Sequence, residues 1–457
     1  MTDHPHKLLD RDSMIAWFAD GEKPADQWGI GTEHEKLLFN CQNRTRPGYD
    51  DEHGIRYILD SVAKRDGWQG VMENGNIIAT KHNDGSSITL EPGGQLELSG
   101  AVLKTLHQTC AETHSHLDLM TEIMAADCIW MLGIGFDPKW RRQDIPWMPK
   151  GRYQIMRDYM PKVGTKGLDM MLRTCTIQVN LDFSSEADMV KKFRTSLALQ
   201  PVATAIFANS PFIEGKPSGY LSSRAAAWVD TDPDRSGVPD CVFDNGFGYE
   251  QWVDYLLDVP MYFLHRGDDY KDVAGLSFHD FMAGQLPGYE GEYPDIHDWE
   301  DHTTTAFPEV RLKQFIEMRG ADGGDWSMIC ALPALWVGLL YDDQALDEAA
   351  DLAKHISAGD VLAGRISAAK DGLKGQMAGD DLSSLAKRMV AIADQGLKRR
   401  NLKNDVGDNE AVFLNVVKSI VDKNETQAEH LLTCYHEKWG QNVDHLYDEY
   451  RLKIESE

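Results

Sequence analysis

The chain has 457 residues and carries 73 Asp and Glu against 46 Lys and Arg, a formal net charge of −27 at pH 7. A surface that acidic repels phosphate backbones and anionic headgroups, so wholesale nucleic-acid binding and docking on anionic lipid are excluded. Hydrophobic residues make up 42% of the chain, enough to bury a large core, which excludes global disorder.

In chain order, the N-terminal MTDHPHKLLDRDS has no apolar core and carries acids, so neither a signal peptide nor a transit peptide is expected. The seven cysteines, Cys41, Cys110, Cys128, Cys175, Cys241, Cys330 and Cys434, lie far apart with no CxxC. That pattern reads as reduced thiols in a cytoplasmic protein rather than a disulfide framework. The first hundred residues alternate strands with Gly-rich turns. A helix is predicted over 102–126; His114 and His116, two residues apart on it, point to different faces and read as surface histidines, not zinc ligands. A loop over 136–159 precedes a strand over 174–183. Ser184-Ser185-Glu186 then starts a helix over 187–209. Residues 211–300, rich in Gly, Pro and Asp, read as loops over a catalytic face. A strand is predicted over 311–319. The most apolar run, 326–341, is too short to span a bilayer and contains Pro333, so it reads as a buried core helix. The rest is helical in pattern. Neither a P-loop nor a dinucleotide fingerprint is present. Strands intermixed with helices, then a helical last third, predict an α+β fold. The expected organisation is a catalytic sheet-and-helix region over 1–325 with a helical region over 326–457 packed on it.

Alternation assigns faces, because successive strand residues point to opposite sides. Glu33 and Glu35 share one parity within Gly31–Phe39. Within Ile88–Ser99, Glu91, Gln95, Glu97 and Ser99 share one parity if the Pro92-Gly93-Gly94 bend costs no residue of register, and Leu90, Leu96 and Leu98 share the other. Thr176, Gln178, Asn180 and Asp182 alternate with Cys175, Ile177, Val179 and Leu181. Arg311, Lys313, Glu317 and Arg319 alternate with Leu312, Ile316 and Met318. A wet outer face is the ordinary meaning of such alternation. Here carboxylates recur at strand centres beside Gln, Arg and Lys. Converging carboxylates repel unless a cation sits between them. All-oxygen ligands favour Mg²⁺ or Mn²⁺, and the interleaved Arg and Lys suit phosphate oxygens. The pattern therefore reads as a nucleotide-using phosphoryl-transfer enzyme without a P-loop.

These same residues resemble the glutamate–cysteine ligase family, plant and proteobacterial type. The matching segments are GIGTEHEK (29–36), LEPGGQLELSGA (90–101), MPKGRYQIMRDYMPKVG (148–164), GLDMMLRTCTIQVNLDFSSE (167–186), SRAAAWVDTDPDR (223–235) and FPEVRLKQFIEMRGADGG (307–324). The resemblance implies a glutamine-synthetase-like fold, a curved, mostly antiparallel sheet flanked by helices with the active site in its concave face. The implied reaction joins the γ-carboxylate of L-glutamate to the amine of L-cysteine through γ-glutamyl phosphate, with ATP cleaved to ADP. This is the first step of glutathione synthesis.

By resemblance, Glu33, Glu35, Glu91, Glu97, Gln178 and Glu317 are the expected Mg²⁺ (or Mn²⁺) ligands. Arg319, Arg311 and Lys313 are the expected phosphate contacts. Arg152, Tyr153, Arg173, Arg224, Trp228 and Tyr262 are expected around the substrates, with Arg173 alternatively paired to a buried acid. His34, of opposite parity, is expected in packing. The expected partners are L-glutamate, L-cysteine and ATP, with no nucleic acid or membrane, in a monomer or homodimer. A related carboxylate–amine ligase with a different acceptor, and a non-catalytic metabolite-binding protein on the same fold, remain alternatives. Plant members carry a redox-switch cysteine pair in the region matching 270–290. No cysteine falls between Cys241 and Cys330, so that switch is expected to be absent.

Overall fold

The computed structural model describes residues 9–267 and 269–452. Residues 1–8, the start of the segment expected to carry no leader, lie outside the described residues. Nine strands form the main sheet: β1 (Ile30–Asn40), β2 (Trp68–Glu73), β3 (Asn76–His82), β4 (Ser87–Leu90), β5 (Leu96–Ser99), β6 (Ile129–Leu132), β7 (Thr176–Leu181), β8 (Val310–Leu312) and β9 (Ile316–Asp322). Their order is β8-β9-β7-β1-β5-β4-β3-β2, with β6 on the second half of β1. Every pairing is antiparallel.

One face of the sheet is sealed by helices. The helix expected over 102–126 is α1 (Leu106–Met124), which starts later, on a Thr105–Gln108 capping box; Ser185, within the expected start, caps α4 (Glu186–Ile206). Between them lie α2 (Gly151–Val163) and α3 (Gly167–Arg173), and after them α5 (Ser223–Val229), which roof the other face. The apolar run forms α6 (Trp326–Leu340), capped by Asp325 and buried from Met328 to Leu340. It packs with α7 (Leu382–Arg400) and α4 against Ile177, Val179 and Leu181 of β7. Each large apolar side chain so buried contributes roughly 1.5–3 kcal/mol. The molecule is α+β, with helices dominating after Trp326. Among the described residues, no helix is long and apolar enough to cross a membrane.

Several expectations are corrected. The predicted single strand over 311–319 is a hairpin, β8–β9, turned at Lys313, whose N–H donates to Phe315 O at 2.8 Å. The run 88–99 is likewise a hairpin, β4–β5, because Gly94 takes a φ of +74° that lets the chain reverse after Pro92. Residues 211–300 are not all loop: α5 and helices over Tyr249–Asp258 and Ile296–Thr303 lie in or reach into them. His116 is buried, not superficial; its Nε2 lies 2.9 Å from Nζ of the fully buried Lys36. His114 is exposed, as expected. The expectation of separate reduced thiols also fails. Folding brings Cys41 to Cys128 and Cys110 to Cys330 as disulfide pairs, with Cα–Cα distances of 5.3 and 5.6 Å. Separations of 87 and 220 residues hide such pairs from any spacing rule.

Candidate active site

Residues directly opposite in a ladder share a face. Glu33 on β1 is opposite Ser99 on β5 and Gln178 on β7, and Glu35 is opposite Glu97. Asn180 on β7 is opposite Glu317 on β9, which is opposite Arg311 on β8. Five strands thus place Glu33, Glu35, Glu97, Gln178, Glu317 and Arg311 on one face. Glu91 joins them from the β4–β5 turn, where its N–H donates to Gln95 O at 2.9 Å. Gln95 itself is used by the turn: Oε1 accepts from Gly93 N at 3.0 Å and Nε2 donates to Thr174 O at 2.9 Å. His34 lies on the reverse face, packed edge-on against His116 with ring centroids 5.5 Å apart.

Glu33, Glu35 and Glu97 are half-buried, and each is aimed by one hydrogen bond. Glu33 Oε1 accepts from Asn180 Nδ2 at 2.7 Å, Glu35 Oε2 from Thr176 N at 2.9 Å, and Glu97 Oε2 from Thr89 Oγ1 at 2.6 Å. Burial, then the charges of Glu317 and Glu97, push Glu33 from the usual 4.5 up to about 7. Burial, Glu91 and Glu97 push Glu35 well above its usual range. Burial and Glu91 raise Glu97. Burial raises Glu91 too, against Lys150, Arg152 and Arg319. These groups hold negative charge reluctantly, as half-buried carboxylates crowded on one face do.

Glu317 is the exception. Burial alone would raise it, but Arg311, Lys313 and Arg319 outweigh burial and hold it far below the usual carboxylate range. Its oxygens lie 2.8 Å from Arg311 Nη2, 3.1 Å from Lys313 Nζ and 2.5 Å from Arg319 Nη1. The residue expected as a ligand is therefore already surrounded by three cations. Among the described residues, no group of three or more His, Cys, Asp or Glu side chains is gathered closely enough to hold a metal ion by itself.

Beside this face lies a cavity of about 110 Å³ lined by Glu35, Glu91, Arg152, Tyr153, Arg224, Trp228, Tyr262 and Arg319. Five of the six expected substrate residues meet there. Tyr153 is fixed by its hydroxyl, which donates to Leu90 O at 2.7 Å. Arg224 Nη2 donates to Arg319 O at 2.5 Å, tying α5 to β9. Arg319 sits 5.8 and 5.7 Å from the ring centroids of Trp228 and Phe307. Arg173 is the sixth, and it does not join them. It lies on the other side of α3, paired with Asp169 at 3.2 Å, and lines a different cavity.

Sequence reasoning missed several residues. Lys150, pulled down to about 8 by burial and Arg152, faces the charges of Glu91 and Glu97; its place two residues before Arg152 was the available signal. Met156, Met170 and Met171 also line the cavity, and nothing in their pattern distinguishes them from core.

A family model described as glutamate–cysteine ligase family 2 matches residues 29–449. The chloroplastic glutamate–cysteine ligase of Arabidopsis thaliana is 54% identical over 441 residues, covering 96% of this chain and 83% of the relative. Chloroplastic ligase B of Oryza sativa subsp. japonica is 52% identical, covering 96% and 87%. Among solved structures, glutamate–cysteine ligase from Francisella tularensis in complex with AMP aligns with a TM-score of 0.55 at 13% identity, over 93% of this chain and 87% of that one. That likeness speaks to the fold alone. The relatives from Arabidopsis and rice are chloroplastic proteins, which overturns the cytoplasmic location expected from the composition and the thiols. With a family model running along nearly its whole length and relatives sharing more than half of the aligned residues, the chain belongs to the glutamate–cysteine ligase family.

Proposed function

We propose that the strand face and the adjoining cavity divide the reaction between activation and acyl transfer. The family joins L-glutamate to L-cysteine with ATP, the first step of glutathione synthesis, and this chain shares that activity. The observation that carries the division of labour is the pairing of reluctant carboxylates at Glu33, Glu35, Glu91 and Glu97 with the cation trio around Glu317.

The γ-carboxylate of glutamate is a poor acyl donor until it is phosphorylated. Arg311, Lys313 and Arg319 would contact the transferred phosphate, with Glu317 holding all three in place beforehand, so little reorganisation is needed as charge moves. Arg152 and Arg224 are suited to clamp substrate carboxylates, because the buried Nε of each has no hydrogen-bond partner in the protein. The cysteine amine then attacks the acyl carbon, and the tetrahedral intermediate collapses with departure of phosphate. Tyr153, Trp228 and Tyr262 wall that step from water.

The donor set fits Mg²⁺. Gln178 Oε1 is buried without a partner, and Glu33, Glu35 and Glu97 present further oxygen donors on the same face. All-oxygen donors of this kind suit a hard divalent cation whose shell is completed by water and substrate phosphates. Glu33, Glu35, Glu91, Glu97 and Gln178 would hold it. When bound, the ion neutralises phosphate oxygens during transfer.

The test is ADP release with ATP, glutamate and a panel of amino acids. Release that needs both glutamate and cysteine supports the reading; equal release with unrelated amines rejects it.

A further inference from the structure

A second cavity, of about 640 Å³, lies apart from the catalytic one. It lies across α3 and α5 from the active site: Met170, Met171, Arg224 and Trp228 line the catalytic cavity, while Asp169, Arg173, Ser223 and Ala227 of the same helices line this one. Its wall is strongly cationic in a chain of charge −27. Arg141, Arg142, Arg157, Lys166 and Arg173 line it, against the two carboxylates of Asp169 and Glu214.

Internal pairing does not neutralise this wall. Asp169 is shared by Arg142 at 2.7 Å, Arg173 at 3.2 Å and Lys166 at 3.6 Å, and Arg173 also reaches Glu214 at 3.5 Å, so two carboxylates serve three cations. Arg141 pairs with Asp144 at 2.8 Å. Arg157 has no carboxylate partner among the described residues; it lies 4.8 Å from the Trp147 ring centroid. Arg173 is 3% exposed and 4.7 Å from the Phe136 ring centroid, and its Nε and Nη2 are buried without hydrogen-bond partners. A guanidinium lying over a ring is held rigidly while keeping its N–H edges available for bidentate contact with an oxyanion. A buried guanidinium with two unused nitrogens leaves desolvated donors unpaired, a cost that an anion relieves. The size suits a metabolite rather than a single ion, and a positive concavity concentrates anions even on an acidic protein.

We propose that this cavity is a second ligand site, separate from the catalytic one, for a small metabolite bearing two or more anionic oxygen groups. Carboxylate and phosphate satisfy the same donors, so citrate and inorganic pyrophosphate are the probes that separate the two sources. Calorimetric titration of the full-length protein, presaturated with glutamate and a non-hydrolysable ATP analogue plus Mg²⁺, reads this site with the catalytic one filled. The expected result is saturable binding of at least one probe. The R157A/K166A variant weakens it by about tenfold or more, two charge-assisted contacts being lost. The charge-reversed R157E/K166E abolishes it, while Arg319→Ala leaves it unchanged. Both double variants change exposed side chains, so folding is checked by an unaltered melting curve. Binding of citrate alone or of pyrophosphate alone supports the site and fixes its anion class. No binding of either probe, or binding that Arg319→Ala removes and R157A/K166A leaves intact, overturns it. Neither result bears on the ligase reading, which is tested by turnover.

Discussion

Arg311 and Glu317 face each other across the β8–β9 hairpin, with Arg311 Nη2 2.8 Å and Nε 3.1 Å from the same carboxylate oxygen. Glu317 is fully buried and Arg311 is 7% exposed. Breaking a buried pair costs about 3–5 kcal/mol, because the remaining charges stay buried and unpaired. Glu317→Gln is therefore expected to lower unfolding free energy by about that amount in denaturant titration. It should also lower kcat by roughly 10²–10³-fold, as loss of a preorganised charge does. A variant with full turnover would remove Glu317 from the catalytic arrangement.

Glu33 gives a pH signature. Its folded value is raised from 4.5 to about 7, so between those values the folded state binds more protons than the unfolded state. Stability then falls as pH rises through that window. In EDTA, the melting temperature is expected to drop more steeply from pH 5 to 7 for the native protein than for Glu33→Gln. Mg²⁺, by favouring the ionised form, should raise the melting temperature more at pH 8 than at pH 6. Equal Mg²⁺ stabilisation at both values would detach the ion from these carboxylates.

Arg224 ties α5 to β9 through the Arg319 carbonyl at 2.5 Å while keeping Nε free. Lysine keeps the charge but not the planar fork. Arg224→Lys is expected to raise the KM of one amino-acid substrate by about tenfold, the loss of one charge-assisted bond, with a near-native melting curve. An unchanged KM for both glutamate and cysteine would place this residue outside substrate binding.

Cys41–Cys128 and Cys110–Cys330, with Cα–Cα distances of 5.3 and 5.6 Å, fall within the span a disulfide bridges. Non-reducing peptide maps of oxidised protein should recover both pairs and leave Cys175, Cys241 and Cys434 as thiols. Cys41→Ser should cost about 2–4 kcal/mol in oxidised protein and little in reduced protein. Seven free thiols after air oxidation would contradict the pairing.

Much of the site was legible because strand parity is local. Glu33 and Glu35, or Gln178 and Asn180, share a face whatever the topology. What parity could not show was chain reversal. Arg311 and Glu317 read as positions along one strand, yet they are opposed across a turn, and that opposition makes Glu317 an anchor for cations. The β4–β5 reversal likewise took Gln95 out of the polar face and into the turn.

By itself the sequence determined the α+β class, the helix start at Ser185, the buried helix after Trp326 and the acidic face, since all rest on periodicity, caps and composition within a few residues. Only the tertiary structure decided the pairing of Cys110 with Cys330, the burial of His116 beside Lys36, and the turning of Arg173 away from the catalytic cavity. Each depends on which distant segment packs alongside. Burial and long-range charge pairing belong to the folded chain, not to any stretch of it, and they separate Arg173 from Arg152 although both lie on neighbouring helices, α3 and α2.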